Sequence, residues 1–216
     1  MFPLPNVVFF PGTKLPLHVF EPRYRLMLMD AYRGEKMIGI VLLKEGWDED
    51  YFGTPPIHKI ACMGKLTRVE RLPSGRFNIQ LFGLCRVRIE RELETDKPYR
   101  EAEVKVLPDS LDEIAQVRSQ SLLEEAFGSL NRLLRGHSNF PGEFITRHPD
   151  LPIGLLLDVL AHHVPSDPAI KQTFLEESDV FRRGRLVIDT LEAIQDGLRA
   201  GNGSFEFSLF PSPSQN

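Results

Sequence analysis

The 216-residue chain has little cysteine, and the two that occur, Cys62 and Cys85, are far apart. Each lies inside an apolar stretch, and they form no CxxC pair. A zinc ribbon or a disulfide framework would need paired or more numerous cysteines at characteristic spacings. The sequence therefore indicates neither, and we expect two reduced, buried thiols.

Long hydrophobic runs are also missing. Outside the N-terminal segment, the longest uninterrupted apolar run covers residues 37–43. A membrane-spanning helix needs roughly 20 apolar residues. The first residues carry no Lys or Arg before their apolar run, and Pro3, Pro5 and Pro11 interrupt what would be a signal-peptide core. We therefore expect a cytoplasmic protein that has no membrane partner.

The chain also lacks a large excess of charge of either sign. The chain has 26 Lys and Arg against 30 Asp and Glu, a formal net charge of −4, so no global basic field would attract nucleic acid. Hydrophobic residues make up 42% and charged residues 26% of the chain, which is ordinary usage for a globular protein. The length allows one large domain or two small ones.

Motifs for catalysis are missing too. No glycine-rich loop ends in Lys-Ser or Lys-Thr, and no GxSxG nucleophile elbow occurs. His162 and His163 are adjacent on a predicted helix, about 100° apart around its axis, so they are poorly placed to bind one metal together. We expect no catalytic residue, no metal and no cofactor, although a small hydrolase with a spatially assembled site stays an alternative.

The order of structural patterns indicates an α+β protein, with β-structure before Pro108 and helix after it. Residues 60–72 and 76–84 read as two strands joined by a turn, and residues 85–93 read as a further strand. One amphipathic helix is predicted after Pro22. The apolar residues that share its face are Tyr24, Met27, Leu28, Ala31 and Tyr32. About seven short strands with one inserted helix suggest a bent sheet or small barrel.

We divide the chain into a β-rich subdomain at residues 1–108, a helical bundle at 109–201 and a tail at 202–216. Residues 153–163 form one predicted helix, and Ser178 is a candidate cap for the last helix. In the tail, Phe205, Phe207 and Leu209 alternate with polar residues. This pattern fits a strand added to the chain's own sheet or to a partner's sheet, and the sequence favours neither.

Three segments carry a family resemblance. They are LPNVVFFPG at residues 4–12, LPL at 15–17 and FEPRY at 20–24. They resemble the opening of the N-terminal, substrate-binding domain of Lon proteases, and more closely that of stand-alone proteins built from this domain. MGKL at 63–66 and FGLCRV at 82–87 look like the same family. The motif residues include Pro16 and Arg23, and we assign Pro11, Gly12 and Gly83 to backbone geometry.

The resemblance spans about residues 4–199 and implies a fold and a role. The implied fold is a PUA-like β subdomain followed by a helical bundle. The implied role is recognition of unfolded or damaged polypeptides for degradation, with a separate ATP-dependent protease as a possible partner. Lon proteases continue into an ATPase module and a Ser-Lys protease module, and these 216 residues end before either. We therefore expect a non-enzymatic polypeptide-recognition or adaptor module.

Polypeptide binding would require exposed apolar anchors in a groove between the β subdomain and the helices. Our candidates are Phe20, Tyr24 and Met27, because the first helix and its preceding turn must bridge the sheet. Plain packing in the core is the more common role for such residues, and the sequence favours it for each of the three. An alternative function is RNA binding, because PUA-like folds also bind RNA and several arginines lie on successive predicted strands. These are Arg68, Arg71, Arg76, Arg86, Arg88 and Arg91.

Overall fold

A computed structural model describes residues 1–110, 113–133 and 150–200. The chain divides into two compact units, Met1–Pro108 and a second that begins at Asp109. The first is a β-sheet with one α-helix and the second is helical, so the expected α+β class is confirmed. The alternating tail residues Phe205, Phe207 and Leu209 lie outside the described residues.

The two units are built from the following elements. The β unit contains β1 (Phe2–Leu4), β2 (Lys14–Val19), α1 (Pro22–Arg33), β3 (Met37–Leu42), a 3₁₀ turn (Trp47–Asp50), β4 (Ile60–Arg71), β5 (Phe77–Leu93) and β6 (Glu101–Val106). The described part of the helical unit contains α2 (Glu113–Leu133), α3 (Ile153–His163), α4 (Pro168–Glu176) and α5 (Val180–Arg199).

The sheet is organised around the long strand β5. The strand order is β1-β3-β4-β5-β2, with β6 also paired to β5. Strand β4 pairs with β5 along one edge, whereas β2 and β6 pair with its first and last parts. The prediction of separate strands at 76–84 and 85–93 was wrong, because β5 runs through that point as a single strand, with a register shift in its ladder with β4.

At Gly83 the turn at residues 10–13 crosses β5 in close contact, between the part of β5 that pairs with β2 and the part that pairs with β6. We call this contact the crossing. The N–H of Gly12 donates to the carbonyl of Gly83, and the N–H of Gly83 donates to the carbonyl of Thr13, both at 2.9 Å. A Cβ atom on Gly83 would overlap the carbonyl oxygen of Phe10. Gly12 has φ +75°, a conformation that favours glycine. Both glycines therefore have a backbone function in this crossing.

Helix α1 occupies one face of the sheet. Pro22 lies at its start, where backbone N–H groups have no intrahelical partner, so the missing N–H of proline costs no hydrogen bond. Tyr24, Met27 and Leu28 are buried, as the amphipathic pattern predicted. The pattern was wrong for Tyr32, which it placed on the same face, because 53% of the surface of Tyr32 is exposed. The helix ends where the N–H of Gly34 donates to the carbonyls of the last turn, as the sequence predicted.

The helical unit is organised around the fully buried side chain of Arg183 on α5. Its two Nη atoms each lie 3.0 Å from a carboxylate oxygen of Asp109, and its Nε lies 3.2 Å from the buried carboxylate of Asp158. The same guanidinium donates to the carbonyls of Gly154 and Glu177. One cation thus connects the start of the unit, helix α3 and the loop before α5.

The start of α5 differs from the sequence prediction. Asp179, and not Ser178, is the capping residue, and its carboxylate accepts a hydrogen bond of 2.9 Å from the N–H of Arg182. Ser178 instead uses its carbonyl to accept from the N–H of Ser110 at 2.8 Å. Both residue types are good caps, so only the position of the chain decides between them. Helix α5 packs mainly against α2.

The crossing predicts a large difference between two glycine substitutions. Gly83→Ala should lower the free energy of unfolding by about 2–4 kcal/mol, because its Cβ meets backbone that cannot move aside. Gly39→Ala is the matched control in β3, since nothing lies within 4 Å of its added Cβ. Urea unfolding followed by circular dichroism measures both. Equal stability of the two variants would contradict a tight crossing.

The buried cation gives a second prediction. Arg183→Met should lower the free energy of unfolding of the helical unit by about 3–5 kcal/mol, because it leaves the carboxylate of Asp158 buried without its cation. Arg182→Met is the control, since this neighbouring side chain is exposed. The same urea experiment applies, and a loss below about 1 kcal/mol would show that Arg183 is replaceable.

Candidate functional site: an apolar groove in the β unit

The β unit contains a cavity of about 320 Å³ between α1 and the sheet. Helix α1 and strands β3, β4, β5 and β6 all contribute to its walls. The chain has five methionines, and four of them line this cavity, whereas Met29 does not. The four are Met1, Met27, Met37 and Met63. We call this cavity the methionine groove.

Small residues leave the space that the groove occupies. Ala31 and Gly34 line it from α1 and the end of that helix, and Gly39 and Ala61 line it from the sheet. A side chain built on Gly39 would meet nothing within 4 Å. Methionine is flexible and polarizable, so it can adapt to apolar groups of different shapes. The lining therefore suits ligands that share apolar character and not one fixed shape.

Most polar groups that line the groove have partners within the protein. The hydroxyl of Tyr99 donates to the carboxylate of Asp30 at 2.6 Å, and the Nζ of Lys97 donates to Glu101 at 2.7 Å. The amino group of Met1 donates to a backbone carbonyl at 2.6 Å, and burial lowers its pKa to about 6. Burial, followed by the bond to Asp30, raises the pKa of Tyr99. Because these groups are already paired, the lining left for a ligand is mainly apolar, apart from the carboxylate of Glu35.

The three predicted anchor residues have different positions. Met27 is buried and lines the methionine groove. Tyr24 is buried with its ring centroid 4.4 Å from that of Phe2, and it does not line the groove. Phe20 is 39% exposed, stacks beside His18 at 6.2 Å and lies outside the groove lining. A role in polypeptide binding stays a prediction for all three.

Arg23 anchors the loop that contains the 3₁₀ turn. Its Nε donates to the carboxylate of Glu21 at 3.0 Å, and the hydroxyl of Tyr51 donates to the same carboxylate at 2.6 Å. The guanidinium also lies 4.6 Å from the ring centroid of Tyr24. The family-like motif around Arg23 therefore holds this loop against the start of α1.

The predicted arginine set does not form one solvent-exposed face. Arg86 is buried, with only 3% of its surface exposed. Arg68 and Arg91 pair with Glu70 and Glu103 respectively. Simple alternation placed Arg86 on the wet face, and that placement was wrong. Register shifts in the β4–β5 ladder and the crossing at Gly83 interrupt the alternation on which it depended.

The two adjacent histidines lie at the end of α3. Burial first, and then nearby positive charge, lowers the pKa of His162 to about 3; burial also lowers the pKa of His163 to about 4. Lys171 donates to the carbonyl of His162 at 2.7 Å, and burial lowers its pKa to about 8. Within the described ranges, no group of three or more His, Cys, Asp or Glu side chains is arranged to hold a metal ion.

No helix in the described part of the chain is both long and apolar enough to cross a membrane.

The sequence model of one family, the ATP-dependent protease La (LON) substrate-binding domain, matches residues 1–193. The chain belongs to the LON substrate-binding domain family. This confirms the resemblance found in the motifs of the first strands and of the β4–β5 hairpin.

Relatives of this LON substrate-binding domain include Lon protease 2 of Myxococcus xanthus, which is 28% identical over 215 residues. The aligned region covers 94% of this chain and 24% of that protein. Lon protease of Roseiflexus castenholzii is 27% identical, with 95% and 25% of the two chains covered. The chain therefore spans about a quarter of the length of the curated relatives that it matches.

Solved structures share the fold of this LON substrate-binding domain. The N-terminal domain of the Mycobacterium avium complex Lon protease superimposes with a TM-score of 0.69 at 19% identity, over 88% of this chain and 96% of that one. A Lon N-terminal domain protein from Xanthomonas campestris superimposes with a TM-score of 0.54 at 21% identity, over 90% and 95% of the two chains. These similarities support the fold.

The histidine pair predicts acid sensitivity of the helical unit. The unfolded chain binds protons at a pKa of about 6.5, whereas the folded histidines do so only near pH 3 and 4. Stability should therefore fall as the pH drops below about 6.5, by roughly 2 kcal/mol per histidine between pH 7 and pH 5. Urea unfolding at both pH values measures this loss. In the variant His162→Phe, the decrease in the free energy of unfolding between pH 7 and pH 5 should be about half as large. A decrease as large as in the unsubstituted protein would show that His162 does not contribute to the acid sensitivity.

Proposed function

We propose that this protein is a non-catalytic recognition module that binds unfolded or damaged polypeptide segments in the methionine groove. The observation that carries the proposal is the concentration of four of the five methionines on one apolar cavity. The membership of the LON substrate-binding domain family supports it, because the description of that family names substrate binding. The proposed partner is an ATP-dependent protease of the Lon type.

The chemistry of the groove fits ligands that are apolar and variable. Unfolded segments expose aliphatic and aromatic side chains that are buried in folded proteins, and burial of such side chains drives association. Flexible methionine surfaces can repack around different side chains and thus bind many sequences. The paired polar groups, Tyr99 with Asp30 and Lys97 with Glu101, leave few unpaired donors that would select one polar ligand.

Two methionines provide a matched test. Met37 and Met29 have nearly equal exposed fractions, 43% and 42%, but only Met37 lines the groove. We expect Met37→Lys to weaken binding of a labelled, permanently unfolded polypeptide by at least about tenfold, because it places a charge at an apolar contact. Met29→Lys should leave binding unchanged. Fluorescence anisotropy measures both affinities.

The same titration should be repeated at low and moderate salt and with a short single-stranded RNA. Apolar binding of the polypeptide should survive the higher salt, whereas contacts to phosphate would weaken strongly. Equal affinities of the Met37→Lys and Met29→Lys variants for the polypeptide would show that the methionine groove is not its binding site. Salt-sensitive binding of RNA alone would overturn polypeptide recognition in favour of the RNA-binding alternative.

A further inference from the structure

We infer that the methionine groove binds its polypeptide as an added β-strand: an extended segment pairs with the outer edge of β6 and directs alternate apolar side chains into the groove. The inference rests on the proposed function and specifies its substrate class. That class is an extended segment in which apolar residues alternate with polar ones, with an acidic residue among the polar positions. Four observations on β6 and its neighbours lead to it.

The first observation is a free strand edge beside the groove. Across the described residues, β6 pairs with β5 alone. The N–H of Leu107 donates to the carbonyl of Arg86 at 3.0 Å, next to the pair of Val106 with Val87. Hydrogen-bonded and non-hydrogen-bonded pairs alternate along antiparallel strands. The backbone N–H and C=O groups of Val104 and Val106 are therefore directed away from β5, where an added strand would find them.

The second observation is that the side chains of this edge continue the groove. Ala102 and Val104 line the cavity. Val106 is two residues further along the strand and therefore lies on the same face, with 58% of its surface exposed. A strand paired beside β6 would place every second side chain on this face. Backbone pairing and apolar burial thus become available to the same extended segment.

The third observation concerns charge on the opposite face of β6. Lys105 stands directly opposite Arg88 in the β5–β6 register, and both side chains are exposed. Neither has a hydrogen bond or ion pair among the described residues. Like charges in this position repel, so an acidic residue on the added strand beside Lys105 would be favourable. Glu101 and Glu103 are already paired with Lys97 and Arg91.

The fourth observation is that the other two edge strands each contain a proline. Pro3 lies within the three residues of β1. On β2, the N–H of Gly83 donates to the carbonyl of Thr13, so alternation along the strand places Pro16 with its nitrogen on the outer edge. Proline lacks the donor that an added strand needs, and it protects strand edges in many sheets. Strand β6 has no proline.

The test compares two substitutions of Val106. Val106→Pro removes the outward N–H without removing a bond to β5, whereas Val106→Ala keeps that N–H. The probe is a labelled peptide, Ser-Phe-Glu-Phe-Glu-Phe-Ser, and its control has the same composition in the order Ser-Phe-Phe-Phe-Glu-Glu-Ser. We expect Val106→Pro to bind the alternating peptide about tenfold more weakly than Val106→Ala does, and the rearranged peptide to bind weakly to both.

An exchange of charge at residue 105 tests whether the polar side chains of the added strand lie beside Lys105. Lys105→Glu should weaken binding of the glutamate peptide and strengthen binding of the same peptide with lysines in place of the glutamates. If Val106→Pro does not fold by circular dichroism, amide hydrogen exchange on the unsubstituted protein replaces it. Exchange at Val104 and Val106 should then slow when the alternating peptide is bound.

The outcomes separate this inference from the proposed function. If Met37→Lys abolishes binding but the two Val106 variants and the two peptides behave alike, the groove binds polypeptide without strand addition and the inference is wrong. Unchanged exchange at Val104 and Val106 in a saturated complex would overturn the inference in the same way. If neither the unfolded polypeptide nor the peptide binds the unsubstituted protein, the proposed function itself fails.

Discussion

The close approach of two backbone segments at Gly83 is the constraint on which the β unit depends. Strand β5 pairs with β2 along its first part and with β6 along its last part, and the turn at residues 10–13 meets β5 between the two, at Gly83. The turn lies so close to β5 that a Cβ on Gly83 would overlap the carbonyl of Phe10. The absence of a side chain at residue 83 therefore permits the close approach of the turn to β5.

The position of the methionine groove follows from this arrangement. Strand β6 begins its pairing beyond the crossing, so its apolar face lies beside β3, β4 and α1 at the groove. Helix α1 supplies Met27, β3 supplies Met37 and β4 supplies Met63. These residues are distant in sequence, and the sheet topology brings them to one cavity. A site of this kind depends on the fold more than on any single motif.

The helical unit depends on a different kind of constraint. Arg183 is fully buried, and its charge requires the carboxylates of Asp109 and Asp158 together with two backbone carbonyls. Such a cluster contributes stability only when it is complete, because an unpaired buried charge costs several kcal/mol. Hydrophobic periodicity could not indicate it, since Arg183 resembles the exposed Arg182 beside it in sequence.

Local patterns in the sequence were sufficient for the α+β class, for helix α1 and for the family resemblance, because each depends on neighbouring residues. Gly12 could also be assigned to backbone geometry, since its positive φ is a local property. The assignment of Gly83 agrees with the structure, but its reason is the approach of Phe10, which is distant in sequence. The burial of Arg86, the cap at Asp179, the single strand β5 and the methionine groove depended instead on contacts between distant segments. Such contacts decide which face of a residue meets water, and periodicity along one segment cannot report them.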